Sequence, residues 1–221
     1  MIMSDDHDIP LPNKDDVLFR GNFPDWQNNA CTNKPSSYSY AEGYKIAAQR
    51  LIKHVVETGE DQDFLVYPII FLYRHHIELL LKSILEQLPY LLDKKLKTNH
   101  CSHNLAELWN DLKSLIGEVS EACGWENLSL NAIEGIDCYI CQPTHADPKS
   151  FTFRYSSNRK GLPHLPEEIS HINLRHFGET IEKLATYLDS IDTAIGFACE
   201  AKLEMDSEYR DYRLSFYNEF T

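Results

Sequence analysis

His75, Glu78 and Lys82 have the types and the spacing to do chemistry together. Separations of three and four residues put all three on one face of a predicted helix, and Arg74 stands four residues before Glu78. One reading is a polar seam that binds phosphate or a nucleotide. The other is an ion-pair ladder on a helix flank, with Glu78 N-terminal to Lys82 in the favourable order. A second set, Arg154, Tyr155, Arg159, Lys160 and His164, falls in one loop. Guanidinium groups match phosphate oxygens through parallel donors, and a tyrosine ring stacks on an unpaired base. In RNA cleavage a histidine would take the 2′-OH proton while an arginine stabilised the developing charge on phosphorus. The alternative is that Arg154 ties the loop to a buried carboxylate and the rest is solvated.

A third set is His100, Cys101 and His103, with Cys138, Cys141 and His145 further on. Paired cysteines and histidines can build a tetrahedral zinc site. Here Cys138 and Cys141 fall on a predicted helix and a second cysteine pair is missing. No metal or other cofactor is therefore expected, and reduced cysteine reads as a small hydrophobe. No phosphate-binding glycine loop, hydrolase elbow or zinc-protease motif is present.

Charge narrows the partners. The 221-residue chain carries 34 acids against 21 Lys and Arg, a net charge of −13. Non-specific coating of duplex DNA needs a cationic face, so that class is disfavoured. The segment from Lys149 to Lys160 nevertheless holds four basic residues and no acid, which leaves room for a local anion site. The apolar run from Phe64 to Leu81 is broken by Arg74, His75, His76 and Glu78, so it reads as a core helix and no membrane partner is expected. The first sixteen residues are acidic and lack the pattern of a secretory signal. The expected location is the cytoplasm, with the six cysteines reduced.

The elements that carry these residues follow from periodicity. Residues 1–36 contain Pro10, Pro12, Pro24 and Pro35 and read as an irregular arm, with Phe19, Phe23 and Trp26 anchoring it. A helix is predicted from Ser39 to Thr58, with Ser39 and Glu42 as a capping box and Gly59 as its stop. A second, apolar around most of its girth, is predicted from Phe64 to Leu88, started by Asp63 and ended by Pro89. A third spans 104–116, with a short helix after it at 118–123. A fourth spans 128–141. A long loop, 142–166, precedes a last helix starting at Glu167 and continuing toward Asp206, whose buried side includes Ile172, His176, Ile181, Leu184, Tyr187, Leu188 and Ile191. The class is all-α, a four- or five-helix up-and-down bundle over residues 37–206, with 207–221 as a polar tail.

Three segments carry a resemblance to a known family. The run Arg74-His75-His76-Ile77-Glu78-Leu79-Leu80-Leu81-Lys82 resembles the second helix of HEPN proteins. His103-Asn104-Leu105-Ala106-Glu107-Leu108 resembles that family's entry into its third helix. Asp147-Pro148-Lys149-Ser150-Phe151-Thr152-Phe153-Arg154-Tyr155 resembles the Arg-Tyr segment before its final helix. The resemblance covers roughly residues 40–191, and it implies a helical bundle, often a homodimer. It also implies a setting such as toxin–antitoxin pairs or phage defence, with a protein partner encoded nearby or single-stranded RNA as ligand. Its ribonuclease members are metal-independent and carry an Arg and a His, four to six residues apart, on the last helix. Arg159 and His164 have that spacing here, but in a loop containing Gly161 and Pro163. The sequence therefore favours a non-catalytic interaction module that binds an anion or nucleotide through Arg154, Tyr155, Lys160, Arg74, His75, Glu78 and Lys82. The alternative is a metal-independent endoribonuclease, acting on single-stranded RNA as a homodimer, with Arg159 and His164 catalytic.

Overall fold

The computed structural model describes residues 14–15, 17–19, 21, 24–32, 36–97, 101–126, 129–157, 160–162 and 165–219, with side chains up to Leu214. It contains five α-helices and, among the described residues, no β-strand. The chain divides into two units, Met1–Pro35 and Ser36–Thr221. Among its described residues the first holds one 3-10 turn, Trp26–Asn28. Its Phe19 and Trp26 are exposed, not buried anchors, and Phe23 lies outside the described residues.

The second unit is the helical bundle. Helix α1 is Ser37–Thr58 and α2 is Gln62–Leu91. Helices α3, Leu105–Cys123, and α4, Leu130–Ala146, follow, and α5 is Leu174–Glu219. Helix α2 is the central rod, in contact with α1, α3 and α5. Ile77, Leu80, Leu81 and Ile84 are fully buried in it, as the apolar girth predicted. It is the one described helix with the length and apolarity to cross a membrane, but half of that stretch is buried inside the bundle. His103 lies beside Arg74, and Lys94 pairs with Glu118, so α3 runs in the same direction as α2.

Several boundaries differ from those predicted, each for a local reason. Ser36, not Ser39, caps α1: its Oγ accepts the Ser39 N–H at 3.1 Å. Helix α2 starts before Asp63 because Asp61, at φ 61°, turns its carbonyl to the N–H groups of Phe64 and Leu65. Pro89 does not end α2; a proline near the terminus removes only its own N–H, and the helix runs on to Leu91. The predicted break near Gly117 is absent, and α3 is continuous to Gly124, whose φ of 68° supplies the left-handed cap. Helix α4 likewise passes through Pro143 to Ala146.

The last helix shows the largest difference. It begins at Leu174, not Glu167, because Asn173 caps it: its Oδ1 accepts the His176 N–H at 3.0 Å. His176 is exposed, while Ile181, Leu184, Leu188 and Ile191 are buried as predicted. The helix then continues through Asp206 to Glu219, so most of the predicted polar tail is helical. No Gly or Pro interrupts the sequence between Gly196 and that end. Near its start α5 crosses α1 closely: a Cβ on Gly178 would lie 2.7 Å from Ile52 Cδ1. Polar links hold the same crossing, with Gln49 donating to Glu182 at 2.9 Å and Lys45 paired with Asp189.

The placement of Leu81 at the centre of this packing has a measurable consequence. Leu81→Ala should lower the unfolding free energy by about 2–5 kcal/mol, through lost transfer energy and a residual cavity. An unchanged urea midpoint would contradict the packing.

Candidate functional site

The charged residues of α2 do not lie on a solvated flank. Arg74 is 2% exposed and Glu78 1%. A buried carboxylate is tolerable only when its oxygens are paired and hydrogen-bonded. Glu78 meets that demand from three directions. Its Oε2 accepts from Arg74 Nη1 at 3.2 Å. Its Oε1 accepts from Lys82 Nζ at 2.9 Å and from His103 Nδ1 at 2.7 Å. Arg74 reaches in turn for the backbone: Nη2 donates to the His103 carbonyl at 2.7 Å. Its Nε faces Asp147 Oδ2 at 3.8 Å.

Two loops are thereby fastened to α2. His103 precedes α3 and is gripped at both its carbonyl and its ring. Ser102 supports the same turn by accepting from the Asn104 N–H and donating to Glu107. Asp147 follows α4 and organises the next turn: its Oδ1 accepts the N–H groups of Phe151, at 2.7 Å, and Thr152, at 3.1 Å. That turn buries Thr152 and Phe153 and leaves Arg154 and Tyr155 outward.

Arg154 does not tie the loop to a buried carboxylate; Arg74 holds Asp147 in its place. The Nε of Arg154 donates to the Ser150 carbonyl. Its guanidinium carbon lies 5.4 Å from the centre of the Phe71 ring, 5.1 Å from Phe151 and 5.8 Å from Tyr155. Phe71 stacks on His75 with ring centres 5.7 Å apart, and Tyr44 meets His75 edge-on at 4.5 Å. A continuous surface results, running from Arg154 over Phe71 and His75 toward Lys82 and His103.

Protonation follows from this setting. Burial holds His75 below the usual imidazole range, and the charges of Lys82, Arg74 and Arg154 act in the same direction against the pull of Glu78. It is therefore neutral at pH 7. For Glu78, burial pushes upward, but the hydrogen bonds and charges of Lys82 and His103 outweigh it and hold the carboxyl below its usual range. Because Glu78 is ionised, the shared hydrogen bond places the His103 proton on Nδ1. The side chain of His103 is 67% exposed, and Nε2 is the ring nitrogen that Glu78 does not engage.

Of the residues predicted from sequence, Arg154, Tyr155, His75, Glu78 and Lys82 come together. Arg74 joins them from below: it is buried, its Nη1 and Nη2 bond Glu78 and the His103 carbonyl, and its Nε faces Asp147 at 3.8 Å. Lys160 is exposed on the same loop. Arg159 and His164 lie outside the described residues, as does His100. His103, Phe71 and Phe151 were missed as members of this surface. The Phe71–His75 spacing of four was a usable signal; the role of Phe151 depends on a turn that sequence alone does not reveal. Cys138 and Cys141 are exposed on α4, and all six cysteines are free thiols. Among the described residues no group of three His, Cys, Asp or Glu side chains could hold a metal ion. No family model, no curated protein and no solved structure matches this chain.

The network makes Glu78 a stability determinant with a definite pH signature. Glu78→Ala should cost about 3–5 kcal/mol at pH 7, since it leaves the buried Arg74 charge with only the longer 3.8 Å contact to Asp147. The folded carboxyl titrates below its unfolded value of about 4.3, so its contribution is present above that pH and is lost as pH falls through the folded value. Urea titrations at pH 7 and pH 3 should show the gap between the parent and the variant shrinking in acid. A gap of equal size at both pH values would refute this account.

Proposed function

We propose that the chain is a HEPN-like helical module that binds single-stranded RNA or a nucleotide through the Arg154 surface, without chemistry of its own. The observation that carries this reading is the guanidinium of Arg154 held among Phe71, Phe151 and Tyr155. Such a group offers parallel donors to a phosphate, and the exposed rings of Phe151 and Tyr155 offer faces on which unpaired bases stack. Lys82 and Lys160 extend the cationic character, while the nearby acids Glu78 and Asp147 are buried and paired. The order and spacing of the three HEPN-like segments favour a cytoplasmic toxin–antitoxin or phage-defence setting, in which a partner protein could be encoded nearby.

One observation favours the alternative, a metal-independent endoribonuclease. The Glu78–His103 pair has the form of an oriented general base: a buried carboxylate holds the ring through Nδ1, and the side chain is 67% exposed. In that reading His103 would take the 2′-OH proton, with Arg154 or Arg159 stabilising the phosphorane and His164 as the acid.

Fluorescence anisotropy with a labelled single-stranded 12-mer RNA at 50 and 200 mM salt separates these readings. Binding should weaken as salt rises, by a slope of about 0.7 per phosphate contacted. Arg154→Ala should weaken binding about tenfold or more on every sequence tested, because phosphate contacts position without reading bases. Absence of binding at 50 mM salt would overturn the proposal. Cleavage of the same RNA that persists in EDTA, and that His103→Ala abolishes while binding remains, would establish the ribonuclease reading instead.

A further inference from the structure

Helix α5 is 46 residues long, about 69 Å at 1.5 Å per residue, and α2 ends well before it does. Leu174, Phe177, Ile181, Leu184, Leu188, Ile191, Ile195 and Ala198 follow one another at alternating spacings of three and four. This is the core seam of a heptad repeat, and its larger members are buried or half-buried in the bundle. The seam does not stop there. Lys202, Met205, Tyr209 and Tyr212 continue the same spacing, and Phe216 is its next position in the sequence.

The environment of the seam changes at Lys202. Its Nζ donates to the carbonyls of Tyr90 and Leu91 and pairs with Asp93, so it marks the end of α2. Up to that level α2 covers the seam. Past it, Met205 is 63% exposed, Tyr209 66% and Tyr212 67%. Aromatic and thioether side chains on one stripe, rimmed by charges, have the composition of an interface core.

We propose that this exposed end of α5 pairs with the same segment of a second copy of the chain, antiparallel, to form a two-fold symmetric dimer. Direction is decided by what already occupies the seam. A parallel copy would have to lay its own residues 174–202 where α2 lies. An antiparallel copy enters from the open end, and its body stays clear. It continues along α5 the groove-filling role that α2 gives up at Leu91.

The charges beside the seam fit this direction. With Tyr209 of one copy opposite Tyr212 of the other, the flanking positions bring Asp206 opposite Arg213 of the second copy. Two-fold symmetry makes the pair twice. Asp206 accepts a long contact, 3.3 Å, from Tyr90 Oη. A parallel pairing would instead set Glu208 against Arg213, so the two arrangements are separable by charge exchange.

The test uses the full chain at about 100 µM, with mass read by light scattering. The parent should show twice the 25.6 kDa chain mass. Replacing both tyrosines, Tyr209→Glu with Tyr212→Glu, should give the monomer mass with helical circular dichroism retained, since both residues are exposed. Asp206→Arg should also dissociate the dimer, and adding Arg213→Asp to it should restore dimerisation. A monomeric parent at this concentration, or a dimer untouched by the tyrosine changes, would overturn the proposal. A dimer sensitive to the tyrosines but indifferent to Asp206→Arg would overturn the antiparallel register.

Discussion

A carboxylate in the interior of a helical bundle constrains everything around it. Glu78 sits at the middle of α2, the most deeply packed helix, where an unpaired charge would cost several kcal/mol. Its partners come from its own helix, through Arg74 and Lys82, and from the turn before α3, through His103. Arg74 carries the constraint further, to Asp147 beyond α4. Three separate stretches of chain are therefore held in register by one ionised group and its guanidinium. The packing of α3 against α2 and the shape of the loop after α4 both follow from satisfying it.

The same network sorts charge by depth. Glu78 and Asp147 lie inside with Arg74, while Arg154, Tyr155 and the ring of His103 face outward. An acidic protein thus presents a local cationic and aromatic surface, in part because two acids beside it, Glu78 and Asp147, are buried and ion-paired. Rigidity comes with it. Arg154 is tied to its own loop carbonyl, and that loop is capped by Asp147. Less side-chain freedom has to be given up when such a group meets a phosphate than for a lysine on a free helix face.

Polar contacts elsewhere in the bundle do a simpler task. Tyr73 donates to Glu182 at 2.6 Å, and Gln87 donates to Asp192 at 2.8 Å, both linking α2 to α5. His76 is buried and donates from Nδ1 to the Ala41 carbonyl at 2.8 Å, tying α2 to α1. Burial holds that imidazole below its usual range, so it stays neutral. These contacts add polar anchors between α2 and its neighbours α1 and α5 to the apolar packing. Along α5 the stripe outlasts its cover, and one continuous pattern is read first by α2 and then by solvent.

The sequence by itself determined the helices and the rod at their centre, because apolar residues at spacings of three and four leave a helix one stable way to bury its face. It also brought out the Arg74–Glu78–Lys82 register, since residues four apart on a helix are neighbours whatever surrounds them. It did not reveal whether that polar face was covered. Covering depends on His103, 29 residues from Arg74 in sequence, and on Asp147, far beyond it, and no local pattern encodes such distances. For the same reason Arg74 read as a surface cation and His103 as the start of a helix. Gly117, Pro89 and Pro143 read as helix ends, but packing overrode the modest penalty of Gly117, and the two prolines lie in the last turns of α2 and α4, where little more than their own N–H is lost. The start of α5 went the other way, because Asn173 supplies a cap that Glu167 lacks. Tertiary structure alone decided where the heptad seam of α5 passes from core to surface, since the ends of the helices packed on it, α2 above all, set where the cover stops.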